Sequence, residues 1–304
     1  MIYIRLTINW LIIFLPILLS HCAFAQSAYS AQKVIAFALP DSMSFAGESV
    51  PLRDPEIRER LEKELVTLCY RQSTTLLTLK RSPRWKSQVE AVLEEKGVPK
   101  DFFYLAAIES ELDPYANSGK AEGFWQFRPL TAIQEGLEVD TMKNFRLRQV
   151  DQRRHVVLST VAFCRLIRKN YQRLNNWTMA AAAYNAGLTA IMEARSMQRT
   201  TSYYDLYLSP ETFRYVFRIL AMKLIMENPG KYGFLIAHHE YDQPLKTKSV
   251  ELNQSVESLV DFAKEQGISY RTLKYYNPWL VYRPNNYRFD ISTGKKYRLD
   301  LPVK

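Results

Sequence analysis

Residues 101–127, DFFYLAAIESELDPYANSGKAEGFWQF, restrict the fold more than any other stretch of this chain. Positions 102–108 are apolar on every side, so a helix there must be covered all round rather than lie on the surface with one wet face. Glu109 comes directly after. Asp113 precedes Pro114, and a residue before proline is driven out of the α region, so the helix ends within a few residues and Glu109 occupies its last turn. A carboxyl group there meets two effects of one sign: apolar surroundings disfavour its charged form, and so does the negative end of the helix dipole. Both raise its pKa toward the range that general acid catalysis at neutral pH requires. The competing reading of the run alone is a solvated Glu at a frayed helix end.

The residues after the helix bear on that choice. Residues 115–119, YANSG, are turn chemistry, and Gly123 opens a second turn before Phe124, Trp125 and Gln126. The reversal can bring an aromatic ring and an amide alongside Glu109. An acid, a stacking ring and amide hydrogen bonds commonly build a sugar site, where a protonated carboxyl serves to protonate a glycosidic oxygen.

Residues 1–25 read as a secretory signal, with Arg5 in a short n-region, an apolar run over 10–19 and Ala23-Phe24-Ala25 as the cleavage site. The run is broken by Pro16 and is shorter than the ~20 residues of a spanning helix. A lipid anchor through Cys22 is the lesser reading, because His21 stands where a bacterial lipobox has a small residue. Export to the periplasm is therefore expected. Of the net charge of +10, only Arg5 belongs to the leader. In an exported protein such a balance suits acidic wall polymers or a membrane surface rather than nucleic acid, and it leaves peripheral membrane association open. Cys69 and Cys164 remain after cleavage, an even pair that allows one disulfide or two buried thiols.

Residues 26–50 have no sustained period and read as a leader or linker. Asp54-Pro55 looks like an N-cap and first helical position, with Ile57, Leu61, Leu65 and Leu68 on one face. Ser82-Pro83 repeats the signal, with Trp85, Val89, Val92 and Leu93 as its stripe and Gly97 as its stop. Pro129 opens a short helix that Gly136 ends. Residues 150–174 predict a long helix with Val157, Val161, Cys164 and Ile167 or Arg168 on its inner edge and a very basic outer face. Asn176-Trp177 then precedes a run of small residues over 179–183, a buried alanine helix that exits through Tyr184-Asn185 into Gly187, where the two side chains serve either a site or merely core and cap. A further helix runs from Pro210 to Pro229. Residues 236–248 read as a linker, and 249–304 as strand, helix, helix, strand.

Three separated motifs now stand together: Ile108-Glu109-Ser110, Gly123-Phe124-Trp125-Gln126-Phe127 and Ala183-Tyr184-Asn185-Ala186-Gly187. In order and spacing they resemble the lytic murein transglycosylases of the goose-lysozyme-like superfamily, D-type in particular. Val150-Asp151-Gln152-Arg153-Arg154 and the Glu211-Thr212 and Tyr215-Val216 pairs extend the likeness over about 82–234. The resemblance implies a mainly α fold, with a lysozyme-like helical domain over 51–235 and a small β-α-α-β LysM-like module over 249–304. It implies Glu109 as sole catalytic acid and base, with Ser110, Phe124, Trp125, Gln126, Tyr184, Asn185 and Tyr215 around the glycan and Phe124 and Trp125 walling the groove. His155-Val156 replaces the family's usual Asp-Pro, Phe124-Trp125 is bulkier than the common Leu-Met, and Asn253-Gln254 stands for the module's usual Gly-Asp.

The reaction so implied cleaves the β-1,4 bond between N-acetylmuramic acid and N-acetylglucosamine of peptidoglycan without water, leaving 1,6-anhydromuramic acid ends. Two rivals remain: a water-using muramidase or chitinase with Glu122 or Asp113 as second carboxylate, and a non-catalytic wall binder. Glu111 lies about 200° around a helix from Glu109 and points elsewhere. Neither cofactor nor metal is expected, since the histidines lack ligand spacing and no phosphate-binding glycine loop is present. Peptidoglycan is the expected partner, with no protein partner. A chain ending near Phe234 is expected to fold and act on soluble strands, because every motif precedes it.

Overall fold

A computed structural model of the protein describes residues 35–141, 148–281 and 287–303. The secretory signal expected over 1–25 lies outside them. The chain divides into two compact units, 1–38 and 39–304; of the first, 35–38 are described, in no regular structure.

The second unit is mainly helical. Helix α1 (Pro55–Tyr70) starts as its sequence predicts: Asp54 accepts from the Glu56 amide, Pro55 sits at the first position, and Ile57, Leu61, Leu65 and Leu68 are buried. The expected second start at Ser82-Pro83 does not occur, because α2 (Gln72–Glu95) runs straight through Pro83. A proline inside a helix removes one backbone bond, here to the carbonyl of Leu79. Buried Leu79, Val89, Val92 and Leu93 hold the helix on both sides of the break. Helix α3 (Phe103–Ser110) comes after a 3-10 turn over Lys100–Phe102 and is buried from Phe103 to Ala107. Glu111 and Leu112 both take left-handed backbone conformations, φ 55° and 58°. They end the helix two residues ahead of Asp113, with Glu109 in its last turn.

Short helix α4 (Pro129–Gln134) ends before Gly136. Helix α5 (Val156–Leu174) begins later than expected, because Val150 pairs in an isolated bridge with Leu280 and Asp151 opens a 3-10 turn. Its inner face also differs: Ser159, Thr160, Phe163, Ile167 and Asn170 are buried, while Val157 and Val161 lie at the margin. Small hydroxyls on that face accept neighbours that a purely apolar stripe would not. Helix α6 (Trp177–Ala186) has its N-cap at Asn176, α7 (Leu188–Met197) starts after Gly187, and α8 (Pro210–Glu227) packs against α1, α3 and α6.

Part of the stretch read as a linker is structured. Strands β1 (Ser44–Phe45) and β2 (Glu48–Ser49) form a small hairpin. Phe45 is fully buried edge-on to Phe102, and the Glu48 carboxylate accepts from the Trp177 and Thr178 amides at the start of α6. That is the end of a helix where an anion is favoured. A hairpin this short leaves no periodicity to read.

The C-terminal unit has the expected order: β3 (Thr247–Leu252), α9 (Leu259–Glu265), α10 (Tyr270–Tyr276) and β4 (Tyr297–Pro302), with β3 and β4 antiparallel from Thr247↔Pro302 to Leu252↔Tyr297. Its hydrophobic cluster includes Val150 from the helical part. The Asp151 amide donates to the Trp279 carbonyl at 2.9 Å, and the Val281 amide to that of Gln149 at 2.9 Å. The two parts therefore share a strap over 149–151. Cys69 and Cys164 are both buried free thiols, so the disulfide alternative is not realised.

Candidate active site

Glu109 leaves the end of α3 partly buried, and Tyr215 of α8 donates its hydroxyl to Glu109 Oε1. Burial pushes the carboxyl up to about 7. The Tyr215 hydrogen bond and the Arg218 charge act the other way, and Glu211 adds to the rise. Desolvation wins because few groups are placed to stabilise the anion. Burial also drives the Tyr215 and Tyr184 hydroxyls well above their ordinary value, so both stay protonated donors.

The turn 119–127 closes the opposite wall. The Ser110 hydroxyl lies 2.7 Å from the Phe124 carbonyl, and the Tyr184 hydroxyl donates to the Trp125 carbonyl at 2.6 Å. Gln126 sits at φ 50°, and its Nε2 reaches the carbonyls of Ala116 and Gly123 at 3.0 Å each. Its amide oxygen takes no hydrogen bond among the described residues. Gly123 is required by its surroundings, since a Cβ there would lie 2.0 Å from the Arg153 carbonyl oxygen, and its φ is +85°.

Sequence reasoning did not find what supports this turn. Arg153 is 1% exposed; it donates through Nε and Nη2 to Asp151 at 2.8 and 2.6 Å and through Nη1 to the Phe127 carbonyl at 3.0 Å. Glu122 lies within 3.6, 3.3 and 3.0 Å of Arg148, Arg153 and Arg154. A buried charge is tolerated when it is paired and bonded as here. Their type and spacing, VDQRR, were in view, but nothing local tells a buried arginine from a solvated one.

Several expectations need correction. Phe124 and Trp125 do not wall the groove, for both rings are fully enclosed. Trp125 stacks on Phe163 at 3.7 Å and donates its indole N–H to Thr160 Oγ1 at 2.9 Å, so the α5 hydroxyls draw the ring inward. Ser110, buried with its hydroxyl engaged, positions the turn beside Glu109 rather than meeting a ligand. Tyr215, 1% exposed, meets Glu109. Gln126, Tyr184 and Asn185 keep partial exposure. Asn185 is not a cap: Gly187 closes α6, with its amide on the Ala183 carbonyl, and Asn185 Oδ1 accepts from Thr212 at 2.9 Å. That bond fixes the amide, and its NH2 group takes no acceptor among the described residues.

The rival carboxylates are placed elsewhere. Glu122 is clamped by three arginines. Asp113 accepts from the Tyr115 amide as a turn residue, and Glu111 turns toward Arg81 at 3.9 Å.

Residues 89–206 match the family described as the Transglycosylase SLT domain, and residues 248–304 the Soluble lytic transglycosylase C-terminal LysM-like domain. Over 250 residues the chain is 31% identical to the Membrane-bound lytic murein transglycosylase D of Escherichia coli (strain K12), which covers 78% of this chain and 51% of that protein. The protein of the same name from Escherichia coli O6:H1 (strain CFT073) gives the same figures. The chain thus spans about half the length of the curated relatives it matches.

Proposed function

Because the chain belongs to the lytic transglycosylases that join an SLT domain to a LysM-like C-terminal domain, we propose that it cleaves peptidoglycan strands between N-acetylmuramic acid and N-acetylglucosamine by intramolecular transfer. The observation that carries this reading is a single carboxyl, Glu109, poised at about 7 with each neighbouring carboxylate engaged elsewhere. Glycosidases that use water or a covalent intermediate place two carboxylates across the bond.

In the first step Glu109 gives its proton to the glycosidic oxygen as the bond to C1 of the muramic acid breaks, releasing the N-acetylglucosamine hydroxyl. The C6 hydroxyl of the same muramic acid then attacks C1, and the Glu109 carboxylate takes its proton. The residue returns to its starting state, water is neither consumed nor released, and a 1,6-anhydro ring remains. A group whose pKa lies near the working pH can serve in both directions. Tyr215 holds the carboxylate in one orientation, and Asn185 and Gln126 offer an amide donor and an amide acceptor to the sugar.

The catalytic portion takes in the hairpin at Ser44–Ser49 and runs to about 235, the linker is 236–246 and the module begins with β3 at Thr247, and the protein acts outside the cytoplasm. Among the described residues no helix is long and apolar enough to cross a membrane; the basic charge supports peripheral contact with an acidic surface. Turbidity of purified sacculi tests the reading. The wild-type protein clears the suspension, and folded Glu109→Gln leaves it turbid; equal clearing by both would remove Glu109 from the chemistry.

A further inference from the structure

Away from Glu109, a cavity of about 230 Å³ opens where the middle of α2 and the start of α5 meet the C-terminal unit. We propose that it is a second saccharide site, taking one N-acetylhexosamine unit of a glycan strand. The proposal rests on the reading of peptidoglycan as substrate, and it places on the seam between the two parts a contact that neither makes alone.

The wall chemistry selects the ligand. Trp85 of α2 and Tyr276 at the end of α10 line the space and are both partly exposed. Aromatic rings that are neither enclosed nor fully wet offer a face to the C–H side of a pyranose. Ser87 and Gln88 line it as well. Among the described residues, the Trp85 indole N–H, the Ser87 hydroxyl, the Gln88 amide and the Tyr276 hydroxyl form no hydrogen bond with the protein. Four uncommitted groups of mixed donor and acceptor character around one hollow fit the hydroxyls and acetamido group of a sugar.

The charges argue against an ionic ligand. Arg84 is tied to Asp242 at 3.5 Å and to the Gln243 carbonyl at 3.4 Å. Asp300 accepts from Ser249 Oγ at 3.0 Å. With one cation and one anion already engaged, the cavity has no surplus of either sign to hold a phosphate or a metal ion. Its size points the same way, since about 230 Å³ lies below the ~300–1,000 Å³ of pockets for drug-sized ligands. One sugar ring is accommodated and a nucleotide cofactor is not. On a polymeric substrate, a second sugar contact raises the local concentration of strand at Glu109 without any change in the chemistry.

The test uses the full chain carrying Glu109→Gln, so that the ligand survives, with tri-N-acetylchitotriose as probe. The Trp85 indole N–H signal is followed by NMR, and binding to purified sacculi by co-sedimentation. The expected result is a saturable shift of Trp85. Gln88→Trp, at an exposed helix position, fills the cavity and abolishes that shift, and sacculus affinity falls by about tenfold or more. Gln88→Ala, which adds no bulk, gives a smaller loss of the same kind and serves if the larger variant fails to fold. A Trp85 signal that stays still at millimolar probe overturns the proposal, as does a folded Gln88→Trp protein that binds sacculi like its parent. Lysis by the wild-type protein is scored separately: without it the proposed function fails, while a saturable Trp85 shift would still establish the site.

Discussion

At the scale of single residues, the role proposed for Glu109 makes this one group set the pH behaviour of both activity and stability. Its folded value of about 7 lies above the ordinary 4.5. The folded state therefore holds a proton that the unfolded state releases between those limits. Stability from this group is fully present below about 4.5 and is lost as pH rises through about 7. Glu109→Gln removes that dependence, so the variant should melt above wild type at pH 8 and close to it at pH 4, a gain of ~1–3 kcal/mol at the higher pH. Its turnover should fall by at least ~10²-fold. With the acid form starting the proposed reaction, kcat/KM of the wild type should decline above about pH 7. Tyr215→Phe takes a hydrogen bond from the carboxylate, so its falling limb should move to higher pH; an unmoved limb would mean that Tyr215 does not act on Glu109. For Asn185, the Thr212 hydroxyl has Ser209 as a second neighbour at 3.1 Å, so Asn185→Ala should depress turnover while costing under ~1 kcal/mol in melting experiments. Stability loss with full specific activity would take Asn185 out of the site. Glu109 was legible because its place at the end of a buried helix is set locally, by an apolar run and a helix stop, whereas its partner Tyr215 comes from 106 residues on. The inward turn of Trp125 was not, since it depends on Thr160 and Phe163, some 35 residues on in the sequence.

Among elements, the turn 119–127 is the piece on which the site depends. Four side-chain bonds, from Ser110, Tyr184, Arg153 and Gln126, converge on its carbonyls. Gly123→Ala would put a methyl into the Arg153 carbonyl at 2.0 Å on a backbone of φ +85°. A loss of ~1–3 kcal/mol is expected, with activity falling further than stability explains because Gln126 moves with the turn. A variant with wild-type melting and lysis would show that the approach is not required. The sequence signals at this scale were uneven for physical reasons. Asp54-Pro55 and Ser82-Pro83 look alike locally, yet only the first starts a helix, because the residues ahead of Ser82 are held helical by Leu79 and by Thr75 and Thr78, both buried. The basic outer face of α5 is evident from its charges, whereas its inner edge is displaced from the apolar stripe because buried Ser159 and Thr160 carry no apolar mark.

Across the whole molecule, the C-terminal unit bears on the wall of the candidate site. Trp279 accepts from Asp151, Asp151 holds Arg153, and Arg153 carries the turn beside Glu109. Tyr115 adds a bond to the Lys274 carbonyl at 3.1 Å, and Tyr297 one to Glu138 at 2.8 Å. The strand, helix, helix, strand order of this unit was legible in alternation and caps, but its docking was not, because a bridge such as Val150↔Leu280 spans 130 residues and has no local signature. A chain ending near Phe234 was expected to act on soluble strands. With Val150 part of the C-terminal cluster, truncation should instead lower activity even on soluble strands by ~10-fold or more through loosened positioning of the turn; undiminished turnover would show the two parts to be uncoupled. The central claim, that one carboxyl directs intramolecular transfer, is tested most directly by mass spectrometry of the products from a complete digest of purified peptidoglycan. Muropeptides lighter by one water than their reducing-end counterparts, formed by the wild type and absent with Glu109→Gln, are the predicted result. Reducing ends as the main product of the wild type would contradict it.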